Sequence, residues 1–301
     1  MSGKKKMGDL RYRIPILSFV TLLVAFFIFL GEYHPMRWVF TAFAAGVASI
    51  ALFEYYMLVR QKGLTPAITW GIIATVLYIF ALFFKTQGPH HHWDALWQKM
   101  PEIVLGVAFF GCFVRFAWSG KEPILNIATS FLGIVYLAVP FGMFVRIMYF
   151  FVFDGMEDPH FQGAWWILYL VAVTKSADMG GYFVGRFAGR RKLAFKISPN
   201  KTFEGALGGL LSSVIISLVI CSLGKRFGHV FVGFSYVSSI WLGILIGILG
   251  QIGDLAESLL KRDADVKDSN TLPAVGGILD MTDSILFTSP VVYIFLRVLY
   301  A

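Results

Sequence analysis

The 301-residue chain is 57% hydrophobic and only 15% charged, well below the roughly 25% charged residues of soluble domains. This composition excludes an ordinary soluble protein and predicts an integral membrane protein. The formal net charge of +8 could suit nucleic acid, but in a membrane protein basic excess usually sets orientation and contacts anionic lipid headgroups. We therefore expect membrane lipids and no nucleic acid among its partners. Cys112 and Cys221 both lie in apolar runs and indicate packing residues.

Apolar runs approaching the roughly 20 residues that cross a bilayer recur along the chain. They predict an all-α polytopic fold with about nine transmembrane helices. The expected spans are residues 14–31, 36–59, 67–84, 100–118, 124–153, 164–185, 203–223, 238–257 and 281–299. The fifth run contains Pro140 and Arg146, so it fits one kinked helix or two short segments. We divide the chain into an N-terminal transmembrane region, 1–160, and a C-terminal transmembrane region, 161–301, expected to be catalytic.

The basic loops predict the orientation, because short loops rich in Lys and Arg stay in the cytoplasm. The amino terminus is basic, and alternate loops bring the segments 186–201 and 261–267 to the same face. We expect a bacterial inner-membrane protein with a cytoplasmic amino terminus and a polar cleft that faces the cytoplasm. The three histidines at 90–92 fall on the opposite face, where a solvated loop is favoured over a metal site.

The first polar constellation spans residues 175–209. Lys175 and Asp178 are spaced i, i+3 and share a helix face. They form a structural pair, or Asp178 faces a water-filled cavity and helps to hold a cation; the sequence leaves both interpretations open. Downstream, Thr202 is a candidate N-cap, and a helix amino terminus suits phosphate. Ser198 and Lys201 would complete such a site, although an ordinary basic loop with a capped helix is the simpler alternative.

The second constellation spans residues 254–283. Asp254, Glu257, Ser258 and Lys261 follow at i, i+3, i+4 and i+7, so they form one helical stripe that should not face lipid. After a loop, Gly276 and Gly277 precede a second pair of acids at i, i+3, Asp280 and Asp283. Magnesium takes oxygen ligands, commonly one or two carboxylates with substrate phosphates and water. Asp254, Asp280 and Asp283 are therefore candidate Mg²⁺ ligands, and Asp178 is a candidate for a second cation.

These motifs resemble those of the phosphatidate cytidylyltransferase family, also called CDP-diacylglycerol synthases. The closing family signature has Ser-x-x-Lys-Arg, Lys-Asp, a Pro-x-His-Gly-Gly turn and Asp-Arg-x-Asp. It is matched by Ser258, Lys261, Arg262, Lys267, Asp268, Pro273, Gly276, Gly277, Asp280 and Asp283. An earlier family segment is matched by Asp178, Gly180, Tyr182, Gly185, Arg186, Ile197, Ser198, Pro199, Lys201, Thr202, Glu204 and Gly205. The resemblance covers the C-terminal half only.

The chain departs from the family signature at three positions, which suggests a side branch. Val275 stands where the family has His, Met281 where it has Arg, and Asn270 where it has a small residue. In the implied reaction, a phosphatidate oxygen attacks the α-phosphate of CTP, giving CDP-diacylglycerol and pyrophosphate. A phosphate monoester has a second pKa of about 6, so this nucleophile is already ionised at neutral pH. The reaction therefore tolerates the loss of the His.

The resemblance implies that CTP and phosphatidate are substrates and that Mg²⁺ is the cofactor. The residues expected to act in catalysis are Asp254, Asp280, Asp283 and Lys267. Those expected to bind substrate are Ser198, Lys201, Thr202, Lys261, Arg262, Asp268, Gly276 and Gly277. A second copy of the chain is a candidate partner. Three alternatives stay open: a CTP-dependent polyprenol or phytol kinase or ether-lipid cytidylyltransferase, an ion-coupled transporter, and a non-catalytic family member.

Overall fold

The computed structural model describes residues 24–31, 33–86, 94–118, 121–152, 162–227, 231, 233–266 and 277–300. This part of the chain is mostly helical. Its helices are α1, described over 24–30, α2 (Arg37–Gln61), α3 (Ile68–Thr86), α4 (Asp94–Phe116), α5 (Pro123–Met148), α6 (Gln162–Ala188), α7 (Phe203–Phe227), α8 (Tyr236–Asp263) and α9 (Ile278–Leu299). Short 3₁₀ helices cover His34–Met36 and Phe150–Val152, and two strands, β1 (Lys192–Ala194) and β2 (Ser198–Thr202), lie between α6 and α7.

Six helices of the described chain, α2, α3, α5, α7, α8 and α9, are long and apolar enough to cross a membrane. Helices satisfy their backbone hydrogen bonds internally, as a lipid environment demands. The predicted all-α polytopic membrane fold is therefore confirmed, but the count of nine spans is not. Charged side chains explain part of the difference, because α4 carries Lys99, Glu102 and Arg115, and α6 carries Lys175 and Asp178 among others.

The fifth apolar run forms one helix rather than two segments. Helix α5 extends unbroken from Pro123 to Met148, with Pro140 inside it. The hydroxyl of Ser289 on α9 donates a hydrogen bond of 3.0 Å to the carbonyl of Pro140. Helices from the two halves of the chain therefore make a buried polar contact near the proline.

The C-terminal helices pack closely because small residues lie where they cross. A methyl group at Gly209 on α7 would come within 2.6 Å of the carbonyl of Ala177 on α6. Buried hydroxyls add hydrogen bonds between α7 and α8. The hydroxyl of Ser213 on α7, for example, donates to the carbonyl of Gly243 on α8 over 2.9 Å. These contacts bring the polar faces of α6, α7 and α8 together.

A short antiparallel hairpin connects α6 to α7, with Lys192 opposite Thr202 and Ala194 opposite Ser198. The sequence did not predict this hairpin, because strands of three and five residues leave little periodic pattern. Pro199 fits β2, since this strand has only one neighbour and a proline can occupy an edge strand. The predicted N-cap is confirmed: the backbone N–H of Gly205 donates to the Thr202 hydroxyl over 3.1 Å.

Candidate active site

A cavity of about 430 Å³ lies where α6, the hairpin, α7 and α8 meet. Its lining combines side chains of both polar constellations with the small residues that let α6 and α7 approach. The lining residues are Ala177, Asp178, Gly181, Tyr182, Gly185, Arg186, Leu193, Asn200, Lys201, Thr202, Gly205, Ala206, Gln251 and Asp254. Parts of α6, the hairpin, α7 and α8 that are far apart in the sequence therefore share one pocket.

An ion pair joins the two constellations across this cavity. The ammonium group of Lys201 on β2 lies 2.7 Å from the Asp254 carboxylate on α8. Both side chains remain partly exposed, at 23% and 38% of their surface. The pair can therefore exchange partners with a ligand that enters the cavity.

Asp178 forms the predicted pair with Lys175 and also faces the cavity, and its role as a cation ligand stays a prediction. Its carboxylate pairs with Lys175 over 3.2 Å, and the residue also lines the cavity. The hydroxyl of Ser284 on α9 donates to the same carboxylate over 3.3 Å. Asp178 is thus a structural pair member that also faces the pocket.

Asp283, on α9, lies close to Asp178. The Ser284 hydroxyl lies 3.2 Å from an oxygen of Asp283, so one hydroxyl is within reach of both Asp178 and Asp283. Asp283 is 5% exposed and interacts electrostatically with Asp254 and Asp178. Three helices therefore contribute three carboxylates, with Lys175 and Lys201 as the paired cations.

Asp280 has a different environment from the other predicted ligands. Its carboxylate accepts a hydrogen bond of 3.0 Å from Lys261, whose ammonium group also lies 2.7 Å from Glu257. Glu257 is almost fully buried, at 1% exposure. Lys261 therefore bridges Glu257 and Asp280 where α8 meets α9, and its expected contact with phosphate stays a prediction.

The carboxylates suit a magnesium site in donor type. Among the described residues, however, no three His, Cys, Asp or Glu side chains are grouped closely enough to hold a metal ion. Lys201 and Lys175 occupy oxygens of Asp254 and Asp178. Magnesium commonly uses only one or two protein carboxylates and completes its coordination with phosphates and water. Asp254 and Asp283 fit that smaller requirement.

Some of the remaining predicted residues hold the elements around the site in place. Others lie outside the residues that the structure describes. Arg262 donates from Nε to the carbonyl of Ile197 over 3.1 Å and so ties the hairpin to α8. Gly277 is the N-cap of α9, and Ser198 begins β2. Lys267, Asp268 and Gly276 lie outside the described residues, so their assignments stay predictions.

Four cavity residues received no functional role in the sequence interpretation: Tyr182, Arg186, Asn200 and Gln251. Tyr182 and Arg186 lie one and two helical turns after Asp178, and Gln251 lies one turn before Asp254. Extending the Asp178 stripe by two turns and the Asp254 stripe by one turn would have found these three. Gln251 also donates from Nε2 to the carbonyl of Ala206 over 3.1 Å, which joins α8 to α7. Asn200 lies in the hairpin, where helical spacing gives no signal.

Similarity to known proteins extends over almost the whole chain. Phosphatidate cytidylyltransferase of Chlamydia trachomatis is 39% identical over 300 residues, which covers 97% of this chain and 94% of that protein. The enzyme of the same name from Bacillus subtilis is 33% identical, over 96% of this chain and 98% of that protein. The one from Chlamydia pneumoniae is 31% identical, over 97% of this chain and 93% of that protein. The family model described as "Cytidylyltransferase family" matches residues 12–299. With motifs, fold and similarity in agreement, the chain belongs to the cytidylyltransferase family.

Proposed function

We propose that this protein is a membrane enzyme that transfers a cytidylyl group from CTP to phosphatidate, giving CDP-diacylglycerol and pyrophosphate. The observation that carries the proposal is the cavity in which Lys201 and Asp254 meet beside Asp178 and Asp283. Full-length relatives with the name phosphatidate cytidylyltransferase support the choice of substrates.

Charge and alignment are the main requirements of this reaction. Two anionic substrates must approach, and the transferred group develops charge on its oxygens, so fixed cations stabilise the transition state. Lys201 and Arg186 line the cavity and are the side chains placed to bind phosphate oxygens there. The phosphatidate phosphate is ionised at neutral pH and attacks the α-phosphate without a general base, while the bond to pyrophosphate breaks.

Magnesium is the proposed cofactor, and a second cation is a further option. Asp254 and Asp283 would hold Mg²⁺ together with the CTP phosphates, and Asp178 would hold the second cation. When bound, Mg²⁺ neutralises phosphate charge and orients the triphosphate. The protein residues would align the substrates around it: Lys201 moves from Asp254 to phosphate, and Lys175 stays on Asp178.

The membrane location follows from the lipid substrate. We propose that the cavity opens to the cytoplasm of a bacterial cell at the inner membrane, where CTP is available. The hairpin and the first turn of α7 then lie at the inner leaflet, and the diacyl chains remain among the lipids. This arrangement allows a soluble nucleotide and an insoluble lipid to meet without either leaving its own phase.

The test is to incubate the purified protein in detergent with CTP labelled in the cytosine ring, Mg²⁺ and phosphatidate. The proposal expects a labelled lipid and one pyrophosphate released for each lipid formed. Release of CDP with phosphorylation of an added polyprenol would instead identify a lipid kinase. Transfer to an ether-linked phosphatidate in strong preference to the diacyl lipid would identify an ether-lipid enzyme. No consumption of CTP with any lipid acceptor would overturn the proposal.

A further inference from the structure

Glu54 is a fully buried carboxylate in the N-terminal half of the chain. It lies on α2 and is 0% exposed. Its Oε2 atom accepts a hydrogen bond of 2.8 Å from the backbone N–H of Leu279, 225 residues later in the sequence. Buried carboxylates are costly unless their oxygens are satisfied, so this contact between α2 and α9 requires an explanation.

Leu279 lies in the first turn of α9. The first N–H groups of a helix have no partner inside the helix, and the N-cap residue Gly277 supplies no side-chain hydrogen bond. Glu54 therefore performs the capping role from a neighbouring helix. The carboxylate also lies at the helix amino terminus, whose partial positive charge attracts acceptor groups.

The capped turn carries residues of the proposed site. Asp280 follows Leu279 directly and accepts a hydrogen bond from Lys261 on α8. Asp283 lies one turn later, beside Asp178 and Asp254. A change in the position of this turn would therefore move Asp280 relative to Lys261 and Asp283 relative to the Asp178 carboxylate that lines the cavity.

We infer that Glu54 is a positioning residue for the cytidylyl transfer: it fixes the first turn of α9 and thereby the places of Asp280 and Asp283. This inference rests on the proposed function. Glu54 acts through the backbone of Leu279 and contacts neither substrate. The N-terminal helices consequently have a defined role in the reaction, because α2 completes the support of the catalytic helix.

Three substitutions at Glu54 distinguish the effect of side-chain length from the effect of side-chain charge. Glu54→Gln keeps an acceptor oxygen at the same distance and loses the charge, Glu54→Asp keeps the charge and withdraws it by one methylene, and Glu54→Ala removes the group. We expect kcat to fall at least about tenfold in the Asp and Ala variants and to stay within about threefold of the parent in the Gln variant. The KM for phosphatidate should change less than about threefold in all three variants. The Asp and Ala variants should need a higher Mg²⁺ concentration for half-maximal activity.

Tyr56→Phe is the matched control. It removes another buried hydrogen bond of α2, the 2.7 Å bond from the Tyr56 hydroxyl to the carbonyl of Ser130 on α5, and leaves α9 untouched. Its kcat should stay within about twofold of the parent even if its Tm falls. A Gln variant as slow as the Asp variant would overturn the inference. So would a Tyr56→Phe variant that loses activity in the same proportion to Tm as the Glu54 variants.

Amide hydrogen exchange provides a readout that does not depend on catalysis. In the Asp and Ala variants, the amide of Leu279 and its neighbours in the first turn should exchange at least about tenfold faster than in the parent and in Tyr56→Phe. Unchanged exchange there would overturn the role of Glu54, whatever the activity. If the parent makes no CDP-lipid while exchange behaves as expected, the proposed function fails and the capping contact stands. Should Glu54→Ala fail to fold, the Gln and Asp pair carries the test.

Discussion

Asp254 is the residue whose replacement tests the proposed site most directly, because it lines the cavity and pairs with Lys201. Asp254→Asn keeps the shape of the side chain and removes its charge. We expect kcat/KM for CTP to fall on the order of 10²-fold, the size of loss found when one preorganised electrostatic group is removed. The ion pair is partly exposed, so its loss should cost no more than about 1 kcal/mol of folding stability. Steady-state kinetics and a thermal melt in detergent measure the two effects.

Asp263→Asn on the same helix is the control for this prediction. Asp263 also forms an ion pair, with Lys62 over 3.2 Å, but its side chain is 69% exposed and lies outside the cavity. It loses the same charge, and its kinetics should stay within about twofold of the parent. Equal losses in the two variants would show that net charge, rather than position in the cavity, determines the rate.

At the scale of elements, the hairpin depends on Glu204 at the start of α7. The Glu204 carboxylate accepts hydrogen bonds from the backbone N–H groups of Arg190, at 3.0 Å, and Arg191, at 3.1 Å. Glu204→Ala removes these hydrogen bonds. The basic segment that leads into β1 should then unfold locally more often. We expect trypsin to cleave after Arg190, Arg191 or Lys192 at least about fivefold faster than in the parent, measured by mass spectrometry of the fragments.

Glu102→Ala provides the comparison for proteolysis. Glu102 is likewise an exposed carboxylate, paired with Lys85 over 3.2 Å, but it lies on α4, which contributes no residue to the cavity lining. Its removal should leave cleavage in the hairpin at the parent rate. A Glu204→Ala protein that resists trypsin as well as the parent would mean that the strand pairing and the Arg262 contact hold the hairpin without Glu204.

The whole molecule shows what sequence patterns can and cannot predict. Apolar length predicted the long helices, and helical spacing predicted one polar stripe through Asp254, Glu257 and Lys261. Spacing does not say which helix that face meets, so the pairing of Lys261 with Asp280 and the contact of Glu54 with Leu279 were not predicted. Both contacts join segments distant in the sequence and depend on tertiary packing alone.

The proposed cytoplasmic site predicts opposite labelling of the two ends of α7. The native cysteines, Cys112 and Cys221, are fully buried, so the parent should react little with a membrane-impermeant maleimide. Phe195, in the hairpin, is 70% exposed, and Arg226 is exposed at the far end of α7. We expect Phe195→Cys to react in inside-out vesicles and Arg226→Cys in intact spheroplasts. Because α7 is long and apolar enough to separate the two positions by a bilayer, the reverse pattern would place the cavity on the outer face, where CTP is not supplied. Labelling of both positions from one side would instead mean that α7 does not cross the membrane.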